Sequence, residues 1–176
     1  DGTRLLVVSH DPDPDEAKPD SLKSKNPKPI VLDRYAFKRD NTGYLDRLRD
    51  HVYIVDVATK KAVQITTGDF DDQSVRWSPD GKRLALTLSS AAGNLDVHVL
   101  ELESGTLTRV TEHPAIDTEP VWASDGTALF FTSDRAGGPQ IYRMPVAGGP
   151  VERVTFTGSY NISPAISPDG RYMAYI

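Results

Sequence analysis

Aspartate stands wherever chemistry could begin in this chain. "GDFDD" (68–72) sets three carboxylates within four residues, and "DPDPDE" (11–16) sets four within six. Clustered carboxylates capture hard cations or amines when a loop folds them onto one point, but a calcium loop also needs a glycine turn and a spaced bidentate Glu. The prolines of 11–16 stiffen that segment instead, so it reads as a solvated acidic loop. The 69–72 run reads as turn-forming Asp. Its functional alternative is capture of a cation or a peptide amino group by Phe70, Asp71 and Asp72. No Gly-x-Ser-x-Gly elbow occurs, and "GSYNIS" (158–163) lacks the second glycine. There is no His-Glu-x-x-His and no phosphate-cradling glycine loop; "AGGP" (147–150) sits between two strand-like runs as a turn. The four histidines, His10, His51, His98 and His113, are scattered. With no Cys, thiolate chemistry and disulfides are excluded. The chain therefore reads as a non-enzyme, with no catalytic residue, metal or cofactor assigned.

The elements that would position these residues repeat. "RWSPDGKRLAL" (76–86) returns as "VWASDGTALFF" (121–131) and "AISPDGRYMAY" (165–175), and "DGTRLLVV" opens the chain on the same phrase. Gly81, Gly126 and Gly170 mark steps of 45 and 44 residues. A second phrase keeps that step: "HVYIVDVATKKAVQIT" (51–66), "DVHVLELESGTLTRVT" (96–111) and "QIYRMPVAGGPVERVT" (140–155), each ending in Thr. Val-, Leu- and Thr-rich runs such as 83–89, 97–102 and 107–111 read as strands. Asp-Gly at 80–81, 125–126 and 169–170 supplies the positive φ of a tight hairpin, with Pro79 and Pro168 presetting φ just before. Ser104-Gly105 and Gly148-Gly149 turn the second hairpin, and Lys60-Lys61 is its weaker version. The only helical candidate is "YLDRLRDHV" (44–52).

One unit thus holds four strands: a before the Asp-Gly turn, b after it, then c and d. Four strands per roughly 45 residues make a β-propeller blade. The fold class is all-β, a partial propeller over 1–176, with a β-sandwich as the alternative. From residue 1 the order is b-c-d-a three times and one last b, about three blades plus a strand. A blade buries both faces only between neighbours, so self-association into a homodimer that closes a six-bladed ring is expected, the alternative being that the missing blades lie on polypeptide outside these residues. The terminal "RYMAYI" would pair across the seam or displace "TRLLVV" of another copy. Trp77, Trp122 and Ile166 share one a-strand position and read as packing between blades; His98 aligns with Tyr53 and Tyr142 in the same way.

The first unit carries an insertion at about 10–50 between b and c, a charged, Pro-rich loop and then a hairpin turning near Asn41-Thr42-Gly43. The b–c and d–a loops share one face, so the insertion joins 67–73, 112–119 and 156–162 there, on an acidic surface where His113 is a candidate partner contact. The net charge of −5 argues against nucleic acid as a partner. No apolar run approaches the roughly 18–20 residues of a membrane span. No signal peptide is visible, and a start at Asp1-Gly2 is compatible with a processed or cut product.

Two resemblances follow from wording more specific than the repeat. Residues 26–86, with "PIVLDR", "GYLDR", "HVYIVD" and "GDFDDQSVRWSPDG", resemble the propeller of acylaminoacyl-peptidase-like members of the prolyl oligopeptidase family. There the propeller gates an α/β-hydrolase domain, none of which is present in these residues. Residues from about 94, with "DTEPVW", "FTSDRAGGPQIY" and "ERVTFTGSYN", resemble the TolB propeller of the Tol–Pal envelope system. This implies a six-bladed periplasmic propeller that binds the lipoprotein Pal at its loop-bearing face. The matching loop positions are Asp117, Thr118, Glu119, Tyr160 and Asn161. The peptidase-like half points to the cytoplasm, so the pair leaves the compartment open.

With a join near Ser89–Gly93, residues 1–90 and 91–176 read as two propeller fragments recombined or engineered into one chain. The function expected is a non-catalytic scaffold that completes a ring with itself. The alternatives are a module that keeps part of a Pal-binding face, or the non-catalytic propeller fragment of a serine peptidase.

Overall fold

The computed structural model describes residues 2–13, 18–22, 26, 38–39, 43–44, 48–89 and 94–176. The expected turn at 41–42, much of the insertion and the proposed join at 90–93 lie outside these residues.

Among the described residues every regular element but one is a strand. The chain runs through β1 (Arg4–His10), a 3₁₀ turn (Asp20–Leu22), β2 (Lys38–Arg39), β3 (Gly43–Tyr44), β4 (Asp50–Asp56), β5 (Ala62–Gln64), β6 (Asp72–Trp77), β7 (Arg83–Ser89), β8 (Leu95–Glu101), β9 (Leu107–Arg109), β10 (Asp117–Trp122), β11 (Ala128–Ser133), β12 (Gln140–Pro145), β13 (Glu152–Arg153), β14 (Ala165–Ile166) and β15 (Met173–Ala174). They form antiparallel sheets ordered β1-β4-β5, β6-β7-β8-β9, β10-β11-β12-β13 and β14-β15, with a small β2-β3 hairpin in the insertion. Two sheets are thus complete a-b-c-d blades, flanked by a b-c-d sheet and an a-b hairpin. The β1–β4 ladder runs from Arg4 opposite Asp56 to His10 opposite Asp50, so residues 11–49 are an excursion between two paired strands.

The hairpins turn on the residues expected. Gly81, Gly126, Gly170 and Gly105 all sit near φ +70°, and Lys60 takes the same left-handed region at φ 59°. The helix expected over 44–52 does not form at its described end. Asp50, His51 and Val52 belong to β4, where the ladder with β1 satisfies their backbone.

β7 shows how the core is built. Successive side chains of a strand alternate faces. Leu84, Leu86 and Leu88 pack with Val52, Val75 and Leu100 toward the first sheet. Ala85 packs with Val97, Val99, Trp122, Leu129, Phe131 and Tyr142 toward the third. Each fully buried Leu contributes roughly 1.5–3 kcal/mol. Arginines clamp neighbouring sheets at the opposite end: Arg4 lies 5.0 Å over Trp77 and Arg83 4.6 Å over Trp122, while the Trp122 indole N–H donates to Arg76 O at 3.2 Å. The two tryptophans pack between blades, as their alignment implies.

Candidate functional site

On the loop-bearing face, where the d strand of one sheet hands over to the a strand of the next, one arrangement occurs three times. Thr66, Thr111 and Thr155 lie two residues beyond the d strands β5, β9 and β13 and are buried. Each hydroxyl accepts a c-strand N–H, from Val52 at 2.9 Å, Val97 at 3.0 Å and Ile141 at 3.0 Å. Each donates its own proton onward, to Asp72, to Asp96 at 3.5 Å and to Gln140 Oε1 at 2.8 Å respectively.

The charges around this bond differ, because a buried carboxylate must find a partner. At the first junction His51 Nδ1 lies 3.3 Å from Asp72 Oδ2 and Nε2 lies 3.6 Å from Asp11 Oδ2. Burial pushes the Asp72 carboxyl above its ordinary value, against bonds from Thr66, His51 and the Val52 N–H. At the second junction two acids each receive an arginine. Arg109 meets Asp96 at 2.9 Å, and Arg135 donates to both Asp117 oxygens at 2.9 and 2.8 Å. The third is neutral, with Asn161 Nδ2 donating to Gln140 Oε1 at 2.9 Å and to Thr157 O at 2.9 Å.

Asp72, Asp117 and Asn161, three of the residues singled out in the sequence, therefore serve these junctions and are buried. The 69–72 carboxylates diverge: Asp69 pairs with Arg49, Asp71 accepts the Asp50 N–H at 3.1 Å, and Asp72 turns inward. Phe70 is half-buried, its ring edge-on to His51 with centroids 5.9 Å apart. His113 is exposed and caps its own loop, Nδ1 accepting the Ala115 N–H at 3.1 Å. His98 is half-buried on β8, where burial pushes its imidazole down.

Thr118, Glu119 and Tyr160 do come together. With Ile116, Thr132 and Ile162 they line a cleft of about 220 Å³ between the third sheet and the β14 hairpin. Glu119 has φ 54°, matched by Ser74 (50°) and Ser163 (55°) at the same a-strand position. A left-handed non-glycine costs about 1–2 kcal/mol, and a bulge between Thr118 and Val121 accommodates it. The carboxylate offsets that cost. Oε2 accepts from Thr132 Oγ1 at 2.9 Å and the Ser163 N–H at 2.8 Å, and Oε1 accepts from Ser163 Oγ at 2.9 Å. Asp134 holds the other rim by accepting the Ile116 N–H at 2.9 Å. With both its oxygens engaged, Glu119 is a fixed negative wall beside exposed Ile116 and Tyr160. The family described as TolB beta propeller domain matches residues 12–176.

The chain belongs to that family. An uncharacterized protein of Agrobacterium fabrum is 33% identical over 101 residues, covering 57% of this chain and 34% of its own. The crystal structure of TolB from Acinetobacter baumannii superposes with a TM-score of 0.68 at 38% identity, covering 72% of this chain and 32% of that one. The chain thus spans about a third of the length of these relatives. The likeness of fold alone extends further: puromycin hydrolase gives a TM-score of 0.55 at 11% identity, covering 67% of this chain and 20% of that one. Both resemblances drawn from the sequence hold at this level.

Sequence reasoning passed over Thr132, Asp134 and Ile162 in the Glu119 cleft, and assigned no role to His51, Asp96, Arg135 or Gln140 at the junctions. The signal was present. His51, Asp96 and Gln140 stand 45 and 44 residues apart, as do the three threonines that close the second phrase.

Proposed function

We propose that this chain is a non-catalytic TolB-like propeller module that docks a protein partner in the Thr118–Glu119–Tyr160 cleft. The observation that carries this is the pairing of exposed apolar side chains with an immobilised wall: Tyr160 is 61% and Ile116 46% exposed beside the pinned Glu119. An exposed aromatic side chain that a partner would bury at the centre of the interface is the usual source of binding energy. The TolB likeness makes a Pal-like lipoprotein domain the first partner to try, and the periplasm the compartment. Titrating the chain with such a domain by calorimetry tests this. Tyr160→Ala is expected to weaken binding by roughly ten- to thirtyfold with an unchanged unfolding midpoint. Phe156→Ala, 75% exposed and outside the cleft, is expected to change neither. No binding, or equal effects of the two variants, overturns the reading.

The open sheet edges favour a second role as a self-completing scaffold. Among the described residues β1 pairs only with β4 and β15 only with β14. Leu5 and Val8 are exposed at one end, and Tyr172, Tyr175 and Ile176 at the other. On this reading two chains close a six-bladed ring, and residues 1–90 and 91–176 come from two propeller lineages joined near Ser89–Gly93. The calorimetry sample, passed through light scattering, separates the roles: a two-chain mass supports ring closure and a one-chain mass rules it out.

A further inference from the structure

The three d-to-a junctions share one backbone bond and differ in what balances their charge. Arg109 and Arg135 are permanent cations, and the Gln140–Asn161 pair is neutral. Of these three junctions only the first relies on a histidine. His51 is 2% exposed, with a carboxylate on each side of its ring. A protonated imidazole has two N–H donors and a neutral one has a single donor. At 3.6 Å the Asp11 contact is an attraction between charges rather than a hydrogen bond, so only the protonated ring holds Asp11 while also donating to Asp72.

The groups around the ring make that proton matter. Asp72 Oδ2 also accepts the Val52 N–H at 3.2 Å and the Thr66 hydroxyl, while its Oδ1 is buried without a hydrogen-bond partner. Asp11 accepts weakly from Tyr53 at 3.5 Å and Gln64 at 3.4 Å. The nearby charges are otherwise committed: His10 to Asp50 at 3.0 Å, Arg49 to Asp69, and Asp71 to the Asp50 N–H. From the second sheet His98, with Nδ1 3.1 Å from Asp96 O, faces Asp96 and Arg109 first and Asp72 more weakly. The Arg49 N–H donates to Asp11 Oδ2 at 3.4 Å, but among the described residues no Lys or Arg side chain is paired with Asp72 or Asp11. The 67–72 loop rests on this joint, because Phe70 packs edge-on to the His51 ring and Gly68 closes over Phe70.

We infer that His51 is a proton-controlled clasp joining the first two blades, closed when the ring carries two protons and loosened when it carries one. It holds the end of β1 through Asp11, the start of β6 through Asp72, and the seat of the 67–72 loop through Phe70. In the second and third junctions no histidine bridges two carboxylates: arginines meet Asp96 and Asp117, and Gln140 pairs with Asn161.

Amide hydrogen exchange on the full chain, corrected for the intrinsic pH dependence and followed from about pH 5 to 8, tests this without any partner. The Val52, Val97 and Ile141 amides make the same bond to a threonine hydroxyl. Val52 is therefore the reporter and the other two are its controls. Protection at Val52 is expected to fall roughly tenfold across the range while Val97 and Ile141 stay level. The double variant His51→Gln/Asp72→Asn imports the chemistry of the third junction and is expected to remain folded with a flat Val52 profile. Val52 tracking its controls in the unmodified chain overturns the clasp, whatever the variant does. So does a step that persists in the double variant.

Discussion

Arg135 offers the sharpest test of how these junctions are held. Asp117 is wholly buried, and the Arg135 side chain is only 14% exposed. The guanidinium satisfies both carboxylate oxygens, takes in Ser133 Oγ at 2.9 Å, and lies 4.9 Å from the Tyr142 ring and 5.4 Å from Phe131. Arg135→Met keeps most of the packing stem and removes the charge. Breaking a buried pair from one side costs about 3–5 kcal/mol, and the lost cation–π contact about 0.5–2 kcal/mol more. With a urea dependence of about 1–3 kcal/mol per molar, the unfolding midpoint should fall by at least about 1 M. Trp122, in the same sheet and nearly buried, reports it by fluorescence. Adding Asp117→Asn places the neutral residue of the third junction in the second and should recover at least half of the loss. A single variant that costs under about 1 kcal/mol, or a double variant no more stable than the single, refutes the account: the carboxylate would then not be what Arg135 neutralises.

Two further outcomes follow from the turns. Gly170→Ala and Gly105→Ala both place a side chain at φ +70°, but only the Cβ at 170 runs into Ser124 Oγ; the space at 105 is open. Both should lose about 1 kcal/mol, and Gly170→Ala should lose more, recovered in part by Ser124→Gly; equal thermal shifts would show that the blade contact is unimportant. For pH, hydroxyl and amide donors hold Asp56, Asp80, Asp125 and Asp169 below the usual carboxylate range. Their contribution is present above the unfolded value near about 4 and is lost as pH falls through the folded values. Asp72, pushed up by burial, has the opposite sign: its contribution is present below its unfolded value and is lost as pH rises through its folded one. Asp80→Ala should therefore lower the urea midpoint at pH 7 and leave it unchanged near pH 2; an equal drop at both would assign the effect to the turn backbone instead.

The strands were legible where sequence and packing agree. Residues 83–89 form β7 end to end, because a strand buried on both faces reads as a continuous run of Leu, Ala and Thr between turns. The 44–52 segment misled because Leu45, Leu48 and Val52 fall at helical spacing over a stretch too short to distinguish the two periods. Pairing with β1 decides it, and that partner lies forty residues earlier for Asp50 opposite His10. The buried aspartates were illegible for a related reason. An Asp amid Gly, Thr and Pro reads as a solvated turn. What buries Asp72 and Asp117 is a counter-group 21 or 18 residues away, His51 or Arg135.

The junctions also bear on how one face can be both firm and responsive. The constant part of each is the threonine hydroxyl on a c-strand N–H, and it locks the end of the d segment to the c strand within one blade whatever the surrounding charge. The variable part decides how a joint responds. The cleft at Glu119 and Tyr160 stands over the junctions balanced by arginine and by amides, whose strength does not follow pH in the neutral range. The 67–72 loop stands over the histidine junction. A partner seated in the cleft would therefore meet fixed geometry, while any contact it made with Phe70 or Asp71 would vary with proton concentration. On these grounds pH should alter how far a partner extends across the face, and leave its anchoring at Tyr160 unchanged.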